Sequence, residues 1–246
     1  MVRDNFPTMK KALVGVVLIA ALLVCWGIST VWAWHDMTHL AVAKAAGYTY
    51  WFNSAGADIA KLKAAEIEAR NHYFDNHTNS VITDKMVLAQ ALNYDNPDDE
   101  EGHLYGAIVA SLRKYRESTE SGRYAEYHMA YAAHYIGDLS QPLHNILFDN
   151  FNTTHHAHND AILENEVLEH VASIKGHMYK IKLNRDTFEQ DLAREIARIG
   201  NISRQLGLRL RAENRDMTKK EAYIQVGHSA SFLKAVLSVL EPHSPL

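Results

Sequence analysis

Apolar residues recur at helical spacing through almost every long segment of this 246-residue chain, and few residues interrupt them. Glycine and proline number only 12 and 5, and several stand together at breaks: Pro97 with Gly102, then Gly122, Pro142 and Gly176. The spacing predicts helices over 40–47, 55–70, 83–92, 103–117, 124–140, 157–175, 188–210 and 218–240. Thr83 is a candidate N-cap, and Thr218 with Glu221 has the form of a capping box. No strand alternation, internal repeat or linker-like stretch divides these segments. The length suffices for one hydrophobic core. The expected fold is all-α, a single-domain multi-helix bundle over residues 34–246.

Residues 1–33 read as a secretory signal. Arg3, Lys10 and Lys11 lead an apolar run from Ala12 to Cys25, which is short for a membrane span. Val31-Trp32-Ala33 fits a cleavage site after Ala33. The expected location is therefore exported, secreted or periplasmic; the alternative is an uncleaved N-terminal anchor. Cys25 is the sole cysteine, so cleavage leaves an exported domain without disulfides. Bound metals can cross-link such a fold instead.

The formal net charge is -4, so no basic field gathers nucleic acid. The signal carries Arg3, Lys10 and Lys11 against Asp4, so its removal makes the chain more acidic. Histidine is enriched: 15 residues, all at or after position 35. Their spacing with aspartates points to metal.

The centre is His134-x3-Asp138-x3-Pro142-x-His144. His134 and Asp138 are four residues apart on a helix and share a face. Pro142 ends that helix, and His144 can turn back toward the same point. Nitrogen and oxygen donors of this kind suit zinc, and a carboxylate can bridge two ions. His156 and Asp160 repeat the histidine–carboxylate spacing, with His155 and His158 as rivals for His156. With His144 they make a three-ligand set that leaves room for water or substrate. Cleavage would also free the amine of Trp34, which can chelate a metal together with its own carbonyl oxygen; His39 lies one short turn away. In the acidic loop, Asp95 and His103 are candidate ligands, with Asp98 and Asp99 as rivals to Asp95.

Together these pieces resemble the superfamily of zinc-dependent phospholipases C and single-strand-specific nucleases. The most specific stretch is the core His134-x3-Asp138-x-x-Gln141-Pro142-Leu143-His144. The resemblance runs from Trp34 to about Val167 and includes the nuclease-like Trp34-x4-His39 spacing. It implies a secreted all-helical domain with three zinc ions. By this resemblance Asp95, His103, His134 and Asp138 would hold one zinc. Trp34, His39 and Asp138 would hold its close neighbour, and His144, His156 and Asp160 the third. The gap between Asp95 and His103 is shorter than the family's usual one.

The activity so implied is phosphodiester hydrolysis by a zinc-activated hydroxide, with Asp95 as the catalytic carboxylate that orients it. The expected substrate is a phospholipid headgroup ester, with peripheral membrane contact. The absence of cysteine after cleavage and the acidic charge favour that over the alternative, a nuclease or 3'-nucleotidase acting on single-stranded nucleic acid or nucleotides. Nucleotide recognition would need a stacking slot such as Tyr48, Tyr50 and Trp51, or Tyr73 with Phe74. A second alternative is a non-catalytic exported zinc-binding protein. No protein partner is inferred.

Overall fold

A computed structural model describes residues 34–64 and 66–240. The expected signal segment and its cleavage point lie outside the described residues. Among the described residues there are ten α-helices and two short 3-10 turns, with no strand, so the all-α expectation holds. None of these helices is long and apolar enough to cross a membrane.

In chain order, the first helices are α1 (Asp36–Ala46), α2 (Gly56–Ala64), α3 (Glu66–Ala69) and α4 (Asp84–Gln90). The long hairpin follows: α5 (Leu104–Glu120) and α6 (Glu126–Leu139). Then come α7 (Asn150–Ala161), α8 (Val171–Gly176), α9 (Phe188–Glu213) and α10 (Lys219–Leu240). The 3-10 turns are Trp51–Asn53 and Pro142–Asn145.

Helix α6 is the axis of the bundle. Residues 128–139 are buried except Tyr131, which is half-buried. A helix enclosed on nearly all sides can carry polar residues only if something compensates them. Its apolar positions Met129, Tyr135, Ile136 and Leu139 join a core with α5, α9 and α10. A second core gathers Trp34, Ala41, Val42 and Ala45 with residues of α9, α10 and the segment after α7. Each large side chain so buried contributes roughly 1.5–3 kcal/mol. The alanines of α1 let it lie close to α6 and α10.

The caps follow the chemistry of the sequence. Thr83 accepts from the Met86 amide at 3.2 Å. The Thr218 amide donates to Glu221 at 2.8 Å, and the Glu221 amide donates back to Thr218 Oγ1 at 3.2 Å. One expected helix is different. The 157–175 segment is not continuous: α7 begins at Asn150, where Asp149 accepts from the Asn152 amide at 3.1 Å. The chain then winds through turns before α8, because Leu163 and Val167 turn into the second core.

Candidate metal centre

Three sites on α6 and the turn after it set the geometry. His134 and Asp138 lie one helical turn apart and are wholly buried. Pro142 opens the 3-10 turn that carries His144 inward, and Gln141 caps this turn by accepting from the Leu143 amide at 2.6 Å. Asn145 fastens it to α6 by donating to the Leu139 carbonyl at 3.1 Å and the Gln141 carbonyl at 2.8 Å. Gly207 of α9 makes room behind it: a Cβ there would meet the Pro142 carbonyl oxygen at 2.7 Å.

Asp138 is the hub. Its carboxylate lies 3.3 Å from His39 Nε2, 2.9 Å from His72 Nδ1, 3.4 Å from His134 Nε2 and 3.7 Å from His144 Nδ1. The His39 and His134 rings stack at 3.6 Å. Asp58 adds a second carboxylate, 3.6 Å from His134 Nε2 and 4.0 Å from His72 Nδ1. His144 and His156 face each other through Nε2 at 3.1 Å, and His156 Nε2 is 3.2 Å from Asp160.

The donor atoms therefore fall into three groups, each close enough to hold a metal ion: His39, His134 and Asp138; Asp58, His72 and His134; His144, His156 and Asp160. The other ring nitrogens are held from behind. His134 Nδ1 faces the Ser54 carbonyl at 2.8 Å, and His156 Nδ1 faces Asn152 Oδ1 at 2.6 Å. Such partners fix ring orientation around metals.

The interior is crowded with charge that the chain does not neutralise well. Burial pushes the Asp160 carboxyl well above the usual range, with a Gln141 amide bond opposing it. Burial acts the same way on Asp138, but the His134 and His39 imidazoles outweigh it and hold that carboxyl well below the usual range. Burial lowers His144 and His39. On His134 burial also works downward, yet Asp58 and Asp138 overcome it and push the imidazole up to about 9. Among the described residues, Asp138 Oδ1, Asp160 Oδ2, His144 Nδ1 and both His39 nitrogens are buried without a hydrogen bond. Orphaned buried acceptors of this kind are costly. Lone pairs on nitrogen and carboxylate oxygen aimed at common points fit divalent cations.

Of the nine expected ligands, His39, His134, Asp138, His144, His156 and Asp160 come together. Trp34 is buried beside them in sequence, and the next amide, of His35, donates to the Asp160 carbonyl at 3.4 Å. Its role as an amine ligand turns on cleavage after Ala33, outside the described residues. Asp95 and His103 are not brought into any of the three groups. Asp95 pairs with Lys114 at 3.0 Å, and His103 lies between Asp99 at 2.9 Å and Asn71 at 2.8 Å. Asp99, a rival for Asp95, is spent on that histidine. His155 pairs with Asp216 at 2.7 Å, which leaves His156 as the inward member of its run.

Asp58 and His72 occupy the places expected of Asp95 and His103. The sequence signal for them was faint, since Asp58 sits among the lysines of an ordinary-looking helix. One trace existed: Glu68 and His72 are also an acid–histidine pair four residues apart, bonded at 3.2 Å. Comparison of the chain with protein-family models, with curated proteins and with solved structures gives no match.

Proposed function

We propose that this protein is a zinc-dependent phosphodiester hydrolase holding three ions, with His134 Nε2 serving one of the two groups that share it, because its Nδ1 faces the Ser54 carbonyl. The observation that carries this reading is the convergence of five imidazoles and three carboxylates, with Asp138 touching four of the five rings. Structural zinc sites are closed by four protein ligands, whereas three-ligand sets leave a position for a reactant. Zinc bound in these groups supplies Lewis acidity and acidifies water near neutral pH.

The chain's own residues then have distinct tasks. Asp138 and Asp160 are wholly enclosed, but the Asp58 side chain keeps 12% of its exposure. Asp58 therefore takes the role expected of Asp95: it orients the attacking water as an acceptor. Burial pushes its carboxyl up, but His134 and Lys61 outweigh burial and hold it well below the usual range. Lys61 stands 2.6 Å from Asp58 and would offer a positive charge to a phosphate oxygen bound beside it. Asp160 and Asp138 stay behind and hold the imidazoles.

A phospholipid headgroup ester is the first substrate reading. Phe148, an exposed apolar residue whose ring lies 6.2 Å from His156, supports that reading as a point of lipid contact beside the site. A nucleotide linkage is the second. The Phe148 ring, 6.2 Å from His156, offers one face for stacking a base. The test is to load the protein with zinc and compare hydrolysis of phosphatidylcholine and single-stranded DNA. Asp138→Asn should lose zinc and activity together. A fully active zinc-free variant overturns the reading, and a three-zinc protein that cleaves neither substrate class makes the metals structural.

A further inference from the structure

Behind His72 lies a buried polar cluster that the metal groups do not use. Glu68 is 4% exposed and sits one helical turn before His72. Its Oε1 faces His72 Nε2 at 3.2 Å and accepts from the Tyr135 hydroxyl at 2.6 Å. Its Oε2 accepts from Asn71 Nδ2 at 3.4 Å. Asn71 is wholly buried and is the joint of the cluster. Its Nδ2 also reaches Asp95 Oδ1 at 3.2 Å, and its Oδ1 faces His103 Nε2 at 2.8 Å. Asp95 holds a left-handed backbone, φ +64°, with its amide directed at Asn71 Oδ1 at 3.4 Å. Asp95 and His103 thus stand outside the metal groups and grip the asparagine that grips Glu68.

We propose that Glu68 is the positioning residue for His72. Both His72 nitrogens face carboxylates, Nε2 facing Glu68 at 3.2 Å and Nδ1 facing Asp138 at 2.9 Å. A metal held at Nδ1 would displace the proton there and leave Nε2–H to donate to Glu68. Nδ1 is the atom aimed inward, where it lies 2.9 Å from Asp138, 3.2 Å from His134 Nε2 and 4.0 Å from Asp58. Tyr135 and Asn71 donate to the same carboxylate, one to each oxygen, and hold it toward His72. The ring of His72 also meets the Tyr135 ring edge-on at 5.4 Å, which limits its rotation. The inference rests on the zinc reading of the site and adds a prediction specific to one ion: Glu68 acts on the group of Asp58, His72 and His134 and leaves the group of His144, His156 and Asp160 alone. Second-sphere carboxylates of this kind typically change metal affinity 10–100-fold.

The experiment is zinc titration of the full chain and of Glu68→Ala and Glu68→Gln, with far-UV circular dichroism as a fold check and histidine 15N shifts as the tautomer readout. In Glu68→Ala one ion should bind 10–100-fold more weakly, the rest within about twofold. In the zinc-loaded chain of this variant the His72 Nε2–H resonance should lose its hydrogen-bonded shift. Glu68→Gln keeps an acceptor oxygen and the shape, so its loss should fall between the two, and it carries the test where the alanine variant does not fold. Equal affinity for every ion in Glu68→Gln and the unmodified chain, or equal weakening of all ions, overturns the proposal. These readouts do not use turnover. A chain that hydrolyses nothing yet shows the graded loss keeps the inference and loses the hydrolase, whereas an unmodified chain that binds no zinc loses both.

Discussion

The imidazole of His39 lies where a side chain on Gly137 would begin: a Cβ built on Gly137 meets His39 Nδ1 at 2.5 Å and Cε1 at 2.8 Å. The glycine beside Asp138 is therefore what lets α1 bring a histidine against α6. His39 cannot retreat, because it is buried and stacked on His134 at 3.6 Å. Gly137→Ala should cost about 1–3 kcal/mol as an overpacked core site. It should also displace His39 from Asp138 and weaken zinc at that group. Thermal melting with metal analysis checks both, and an alanine variant that melts and binds zinc like the parent counts against the close approach.

Removing metal should destabilise the fold, because the cluster leaves Asp138 and Asp160 oxygens buried without hydrogen bonds. An ion that binds only the folded state adds about 2.7 kcal/mol when its concentration is 100 times its dissociation constant. Chelator-treated protein should melt well below the zinc-loaded form. Zinc should restore the transition and magnesium should not, since imidazole-rich sets disfavour the harder ion. Identical melting curves before and after chelation would remove the case for a metal centre.

The capping box of α10 should lose its contribution in acid. The Arg215 guanidinium, hydrogen-bonded at 2.9 Å, and the Thr218 amide hold the Glu221 carboxyl down to about 2 against a reference of 4.5. A carboxyl depressed in the folded state stabilises fully above its unfolded value and loses that contribution as pH falls through its folded value. The relevant window therefore runs from about 4.5 down to about 2. The pair is partly exposed, so its contribution is below about 1 kcal/mol. Glu221→Gln should melt lower than the parent at pH 7, and the gap should close across that window in acid. A gap independent of pH would assign the effect to shape alone.

Much of this was legible because helices impose local rules. His134 with Asp138, and His156 with Asp160, share a helical face at spacing four, so periodicity alone paired them. Pro142 marked the turn that returns His144. Gly137 stood inside the same segment, but its purpose required knowing that α1 packs there. Asp58 and His72 were hidden for a related reason. They come from separate turns of α2 and the segment after α3, and only the packing of these on α6 places them at Asp138. Conversely, Asp95 and His103 had suitable chemistry and a suggestive loop, yet side-chain type says nothing of distance. The structure puts an intervening layer, Asn71 and Glu68, between them and His72.

That layer separates two aspartates sharply. Asp58 lies 3.6 Å from His134 and 4.0 Å from His72, so Asp58→Asn removes a charged donor from a metal group and should cut zinc affinity and turnover by 100-fold or more, on the order of 3 kcal/mol. Asp95 meets Lys114 at a site where its side chain is 39% exposed, an ion pair worth about 1 kcal/mol at most. Asparagine tolerates the left-handed backbone that Asp95 adopts at φ +64°. It also keeps an oxygen that can accept from Asn71 Nδ2. Asp95→Asn should therefore retain all its zinc and activity within a few-fold of the parent. Metal content and initial rates on the two variants decide the matter, and the reverse ranking would return the catalytic carboxylate to Asp95 and sink the assignment of Asp58.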